Sequence, residues 1–296
     1  MRWMLEHEHD ALALRCYPSQ VILERTAVLA SYGAILCMRF VHRRAARWWC
    51  ERTTHMAARE GHMACLIYAA EHGALIDHET IQYAARGGHV TALEYAHLRV
   101  GSFNAATMVD AIHGNHVECV RYLVKHGAIL TPALVLEAAA HGHMRCLAYL
   151  HECGAPWHEA TTLEASRYGQ LECLRYAVEH GAWLHPDSAY IAACNGHIDC
   201  LAFSYEKGVT MDYNGTGNIT YATALNGRLN CLVFAHEHGA AWYRDTVWVA
   251  IVSKHKKEAI YAYRHGAPPP NEDAHMETLR KWVEEDECEA ENKAVK

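Results

Sequence analysis

Residues 142–157, GHMRCLAYLHECGAPW, place Cys146, His151 and Cys153 within two helical turns, in a chain of 296 residues that holds 12 Cys and 24 His. Thiolate and imidazole are the ligands zinc prefers, so a metal centre is the first chemistry to test. Geometry argues against it. On a helix, seven residues separate Cys146 from Cys153 by ~10.5 Å along the axis, whereas a shared zinc needs each sulfur at ~2.3 Å. The same residue types also recur throughout the chain, and a catalytic or metal-binding group should stand apart with its own base or co-ligands. No glycine loop for phosphate and no paired-carboxylate motif is present. We therefore expect no catalytic residues, no metal and no cofactor, with the cysteines acting as small buried apolar residues.

The elements that carry these residues form a repeat. With Cys146 as anchor, the equivalent positions are Cys37, Cys65, Ala92, Cys119, Cys173, Cys200, Cys231 and Glu258, spaced by 27 residues except for one step of 28 and one of 31. Four residues before each anchor stands Gly33, Gly61, Gly88, Asn115, Gly142, Gly169, Gly196, Gly227 or Lys254. Mostly these types relieve a left-handed backbone, which predicts a turn. Three residues after each anchor comes an aromatic: Phe40, Tyr68, Tyr95, Tyr122, Tyr149, Tyr176, Phe203, Phe234 and Tyr261. Together with the aliphatic that follows each anchor, such as Leu66 and Leu147, this is the apolar face of a helix. A capping Gly closes that helix at Gly73, Gly127, Gly154, Gly181, Gly208, Gly239 and Gly266, with Ala45 and Val100 as exceptions. The residue just before it is basic in every unit but one, where Cys153 stands; a cation there suits the negative end of the helix dipole. Upstream of the turn, Thr53, Thr80, Thr107, Thr161, Ser188 and Thr246 are expected to initiate a first helix through their hydroxyls. Pairs such as Ala57–Ala58 and Ala138–Ala139 then allow close helix approach. The histidines after the turn, including His62, His89, His116, His143, His197 and His255, are expected to bridge it by hydrogen bonds.

These units resemble ankyrin repeats: in AAREGHMACLIYAAEHGA (57–74) and AAAHGHMRCLAYLHECGA (138–155), two alanines, a Gly-His turn and a Leu-bearing second helix end in Gly-Ala or Cys-Gly-Ala. The likeness runs from about residue 21 to 267. The Thr-Pro-Leu-His start of that family is absent; where its His would fall stand His55, Gln82, Val109, Leu136, Leu163, Tyr190, Tyr221 and Trp248. The period of 27 is shorter than the ~33 of the family, and the resemblance places the deficit where ankyrins carry a β-hairpin finger. It implies an all-α fold, an α-solenoid of ankyrin-like helix-turn-helix repeats with reduced or absent β-hairpin fingers. The short form, GHxxCLxYxxEHGAxW, is similar to expanded families of large DNA viruses of protists and of some protists. Members of those families are generally taken to be interaction scaffolds, some carrying an F-box; none is found here.

We expect residues 1–267 to form the solenoid, beginning inside a repeat, and 268–296 a C-terminal capping helix and acidic tail, with Met276, Leu279, Trp282 and Val283 at helical spacing before Glu284–Glu287. No apolar run is long enough to span a membrane and no secretory signal is read at the N-terminus, so an intracellular, cytoplasmic location is expected, in host cytoplasm if the source is viral. The formal net charge of −7 argues against broad nucleic-acid binding. A local exception is the stripe Arg39, Arg43 and Arg47, beside Trp48 and Trp49, which could dock an acidic partner. Asn214–Gly215–Thr216 has the form of a glycosylation acceptor but reads as a plain loop in the one long step.

The expected function is a non-enzymatic, monomeric scaffold binding a protein, a host protein if the source is viral, through its repeat surface. Two alternatives stand beside it: a substrate adaptor for a host ubiquitin ligase, and a nucleic-acid or metal-binding module. Residues free of the packing code should supply specificity. They include Arg59, Glu60, Arg86, His113, Arg167, Tyr168, Asn195 and Asn226 before the turn, and Glu79, Glu159, Asp187 and Asp245 near the first-helix starts. Of these, Arg86, His113, Tyr168 and Asn195 are the partner-binding candidates.

Overall fold

The computed structural model describes residues 26–45, 49–213 and 217–294. The N-terminal partial repeat, Trp48 and the Asn214–Thr216 loop lie outside the described residues, as do the side chains of Arg43 and Arg47. After a helical stretch at 26–31, the helices are α1 (Ile35–Ala45), α2 (Glu51–Arg59), α3 (Met63–Glu71), α4 (His78–Gly87), α5 (Val90–Val100), α6 (Ala105–His113), α7 (Val117–Lys125), α8 (Pro132–Ala140), α9 (Met144–Glu152), α10 (Thr161–Arg167), α11 (Leu171–Glu179), α12 (Ser188–Asn195) and α13 (Ile198–Glu206). Strands β1 (Asp212–Tyr213) and β2 (Gly217–Asn218) precede α14 (Ile219–Leu225), α15 (Leu229–Glu237), α16 (Thr246–Val252), α17 (Lys256–Arg264) and α18 (Asp273–Ala294). The chain divides into two compact units, residues 1–138 with 145–156 and residues 139–144 with 157–296.

Within each unit, first helices pack on first helices and second helices on second. In the first unit α2, α4 and α6 form one row and α3, α5 and α7 the other; in the second unit α10, α12, α14 and α16 stand against α11, α13, α15 and α17. The small pairs allow this closeness, since Ala57, Ala58, Ala84, Ala85, Ala192 and Ala193 have no exposed surface. The second helices from α3 onward bury the anchor and the residue after it, as at Cys65–Leu66, Cys119–Val120 and Cys200–Leu201, whereas Cys37 on α1 is half-buried. Every such Leu removes apolar surface worth roughly 1.5–3 kcal/mol.

The turn position has a positive φ in all nine units, Asn115 (57°) and Lys254 (63°) included. At Gly61 the bonds His62 N–H to Ala57 O (2.9 Å) and Gly61 N–H to Ala58 O (3.3 Å) make a Schellman turn. The second helix closes the same way, with Ala74 N–H on Ala69 O at 2.9 Å and Ala74 buried, which explains the recurrent Gly-Ala ending. The Val100 exception is a shift of one residue: α5 runs longer and Gly101, φ 83°, takes the left-handed position.

Two expectations need correction. The Thr column does not initiate the first helices by capping. Thr53, Thr80, Thr107, Thr161 and Thr246 are fully buried, and the side chains that accept the first-turn N–H are Asp77, Asn104 and Asn218. Two pairs instead join neighbouring repeats, Thr26 Oγ1 to Thr53 Oγ1 at 2.8 Å and Thr220 Oγ1 to Thr246 Oγ1 at 3.4 Å, while Thr80 and Thr107 donate their hydroxyls to Asp77 and Asn104 at 2.9 and 3.1 Å. The histidines after the turn bridge to the preceding repeat rather than across their own turn: His62 Nε2 meets Ser31 O at 3.1 Å and His116 Nε2 meets Arg86 O at 3.1 Å. Trp49 is the counterpart of Trp157 and Trp242. Each donates its indole N–H to the carbonyl of the next unit's terminal histidine, His72, His180 and His265, at 2.8, 3.1 and 2.9 Å.

Fingers are absent from the connectors among the described residues except in the longest one. There β1 and β2 pair antiparallel, Asp212 opposite Asn218 and Tyr213 opposite Gly217. The extra residues of the 31-residue step thus return as a miniature hairpin. At the C-terminus, α18 lays Leu279, with no exposed surface, and the partly buried Met276, Trp282 and Val283 against Val247, Ala250, Ile251 and Ala259. Its acidic run meets the last repeat's cations, Lys256 Nζ to Glu285 at 2.8 Å and Arg264 to Asp286 at 2.8 Å and Glu287 at 3.3 Å.

Candidate interaction surface

The residues before the turn lie at the C-terminal ends of first helices, where packing of the two rows leaves side chains in solvent. On α4, Glu79, Gln82, Tyr83 and Arg86 follow the i, i+3, i+4, i+7 pattern of a single face. With Asp110 of α6 they line a shallow cleft of about 120 Å³. Arg86 is 58% exposed, and its Nε stands 3.5 Å from Asp110 Oδ1. Burial pushes the Asp110 carboxyl above its ordinary range, opposed by the nearby Arg86 and His113. One repeat on, His113 Nε2 meets Glu137 Oε2 at 3.0 Å. Arg86 and His113 are therefore brought together in the first unit through Asp110.

The floor beside this cleft is built around His55, which is 5% exposed. Its ring stacks on Tyr83 with centroids 5.2 Å apart, its Nε2 meets Asp77 Oδ1 at 3.0 Å, and its Nδ1 lies 3.7 Å from Glu79. Asp77 in turn accepts from Thr80 N–H at 2.8 Å while Thr80 Oγ1 receives the Asp77 N–H, a reciprocal capping box. Burial alone would raise the Asp77 carboxyl; the Thr80 N–H and hydroxyl and the adjacent His55 outweigh it and hold Asp77 below the ordinary range. The start of α4 is thereby fixed, and with it the direction of the Glu79–Arg86 face.

In the second unit Tyr168 follows the end of α10 and is 55% exposed, next to the Arg167–Glu164 ion pair at 3.0 Å. Asn195 ends α12 and turns its amide back onto its own helix, Nδ2 donating to Ile191 O at 2.8 Å; Asn226 does the same to Ala222 O at 2.9 Å. Asn195 thus spends one donor on its helix, while Tyr168 presents a ring edge and a hydroxyl. Arg39 of the proposed basic stripe is exposed and lies over the Tyr68 ring at 5.6 Å.

Two features escaped the reading of the sequence. The cleft was legible as the polar stripe at 79, 82, 83 and 86, but those residues were sorted by repeat column and not by helix face. Leu75 and Ile129, 62% and 83% exposed, stand at the same register directly after Gly-Ala in the first unit, and Trp183, 59% exposed, does so in the second.

No family model matches the chain, and no curated protein matches it. Among solved structures it is similar to the human ASB11 ankyrin repeat domain, with a TM-score of 0.52 and 18% identity over 61% of this chain and 96% of that one. At that identity the likeness establishes the fold, an all-α solenoid of ankyrin type, and nothing finer.

Proposed function

We propose that the chain is a non-enzymatic scaffold that binds a protein partner at the C-terminal ends of its first helices, Arg86 and His113 in the first unit and Tyr168 and Asn195 in the second. The observation that carries this reading is the α4 face: four polar residues on one stripe, held in direction by the Asp77 cap, open to solvent beside a half-buried carboxylate. Tyr83 stacks on the His55 floor, and Glu79 and Arg86 are exposed at the two ends of the stripe. Ankyrin-type solenoids serve generally as interaction scaffolds, which agrees with it, although a fold alone does not assign a function. No helix among the described residues is long and apolar enough to cross a membrane; a cytoplasmic monomer is part of the proposal.

Arg86 is the residue of a type most often dominant in such contacts, a planar cation with a carboxylate on one side and open cleft on the other. The test is affinity purification from the native cell with the parent chain and with Arg86→Glu/His113→Ala. Proteins captured by the parent should be lost from the variant while both unfold at the same temperature. Capture of the same proteins by both would overturn the assignment of this face. Enrichment of ligase subunits among the proteins lost would identify the scaffold as an adaptor.

A further inference from the structure

Histidine at the fifth position after the anchor was not singled out by the repeat, yet it makes the same four-residue contact with the next unit three times among the described residues. At the first rung, His42 stacks on Trp49 (4.3 Å between centroids), its Nδ1 lies 3.2 Å from the Tyr68 hydroxyl, and its ring stands edge-on to His72 at 5.3 Å. The second rung is His97 with Phe103 (5.1 Å), Tyr122 hydroxyl (3.0 Å) and His126 (5.5 Å). At the third, His236 meets Trp242 (4.6 Å), Tyr261 hydroxyl (3.2 Å) and His265 (5.5 Å). Each rung ties a second helix to its successor within one unit, α1 to α3 and α5 to α7 in the first, α15 to α17 in the second.

The second histidine of every rung has its tautomer fixed. His72, His126 and His265 donate Nδ1–H to the carbonyls of Tyr68, Tyr122 and Tyr261 at 2.7–2.8 Å, with their rings stacked on those tyrosines at 4.0 Å. Any further proton must go to Nε2 and turn the ring into a cation facing its neighbour. The first histidine, once doubly protonated, can only donate to the tyrosine hydroxyl, which must then rotate away. We propose that these rungs are acid-sensitive clasps: two histidines from successive repeats sit ring to ring, and proton uptake below neutrality loosens the seam between second helices.

The charged and titratable surroundings do not neutralise the pair. From the helix packed against it, His42 faces Tyr68 and His72, with Arg39 of its own helix over the Tyr68 ring adding a like charge. His97 faces Tyr122 and His126, with Glu94 of its own helix acting on Tyr122. His236 faces Tyr261 and His265, with Glu237 of its own helix acting on Tyr261. Burial first, and then the facing histidine, hold His42 and His97 below the ordinary imidazole range. A base held low in the folded state takes its proton later than in the unfolded chain. Stability from the His42 and His97 rungs is therefore full above about pH 6.5 and declines as pH falls below it.

The experiment is the thermal midpoint of the full chain at pH 7.5 and at pH 5.5, for the parent and for His42→Gln/His97→Gln/His236→Gln. The parent should lose several degrees on acidification and the variant distinctly less. A parent midpoint that does not fall, or a variant that falls as far as the parent, overturns the clasp. If the variant does not fold, imidazole titration of the parent by NMR decides: His42 and His97 should titrate below the ordinary value, and titration at that value refutes the proposal.

Discussion

Gly61→Ala tests the coupling between repeats that the Gly-His turns create. Gly61 sits at φ +72°, and a Cβ built there would run into the His89 ring of the following repeat. His89 also makes a bond to the main chain of Arg59, so moving its ring breaks a bridge to the preceding repeat. Left-handed strain for Ala costs about 1–2 kcal/mol, and the lost hydrogen bond adds about 0.5–1.5 kcal/mol. Gly73→Ala in the same repeat is the matched control. Its φ is +91° and a Cβ there meets nothing within 4 Å, so it carries only the strain. The entropy that Ala removes from the unfolded chain is common to both and cancels. The difference between the two variants, about 1 kcal/mol, should appear in urea unfolding followed by far-ultraviolet circular dichroism, provided the slope is unchanged. Adding His89→Ala to Gly61→Ala should recover part of the loss, since the clash then has no target. Equal costs for Gly61→Ala and Gly73→Ala, or strict additivity with His89→Ala, would refute the bridge.

The thiols should react in order of exposure and acidity. Cys288 on α18 is exposed, Cys153 is half-buried, and Cys146 is buried with its thiol pushed up to about 11 by burial. A maleimide followed by mass spectrometry should therefore mark Cys288 first and Cys153 before Cys146; labelling of Cys146 ahead of Cys153 would contradict the packing of α9. Asp77→Ala removes the cap of α4 at a cost of about 1 kcal/mol and strips the buried His55 of its partner, about 1–3 kcal/mol more. Because the Asp77 carboxyl is held low, its contribution is present above about pH 3.8 and is lost as pH falls further. Asp77→Asn should flatten that part of the acid unfolding profile, and an unchanged profile would mean that Asp77 does not govern it.

Much of this architecture was legible because each unit solves the same packing problem. The left-handed turn, the buried anchor and the Gly-Ala ending are local, so a column of residue types reports them directly, even through Asn115 and Lys254. What differs are roles set by a partner outside the residue's own column. Thr80 has the composition of an N-cap, but the residue three positions earlier, Asp77, takes that role and leaves the Thr hydroxyl to answer Asp77 N–H from inside. The aromatic column read as core, yet Tyr68, Tyr122 and Tyr261 are only partly buried, because their rings and hydroxyls serve histidines on two successive second helices.

The same distinction governs the candidate surface. Arg86 and His113 were chosen as deviations from the repeat, and the structure links them through Asp110, a residue the column had not marked. Asn195 departs from the repeat in the same way but turns back to Ile191 O, because an amide at a helix end reaches the carbonyl one turn back on its own helix. Departure from a packing code therefore finds residues released from the core without telling which are free to bind. The second requirement is geometric: neighbours at i+3, i+4 and i+7 must face the same way. Only the α4 stripe with Asp110 meets both, so a partner contact should fail at Arg86 before it fails at Asn195.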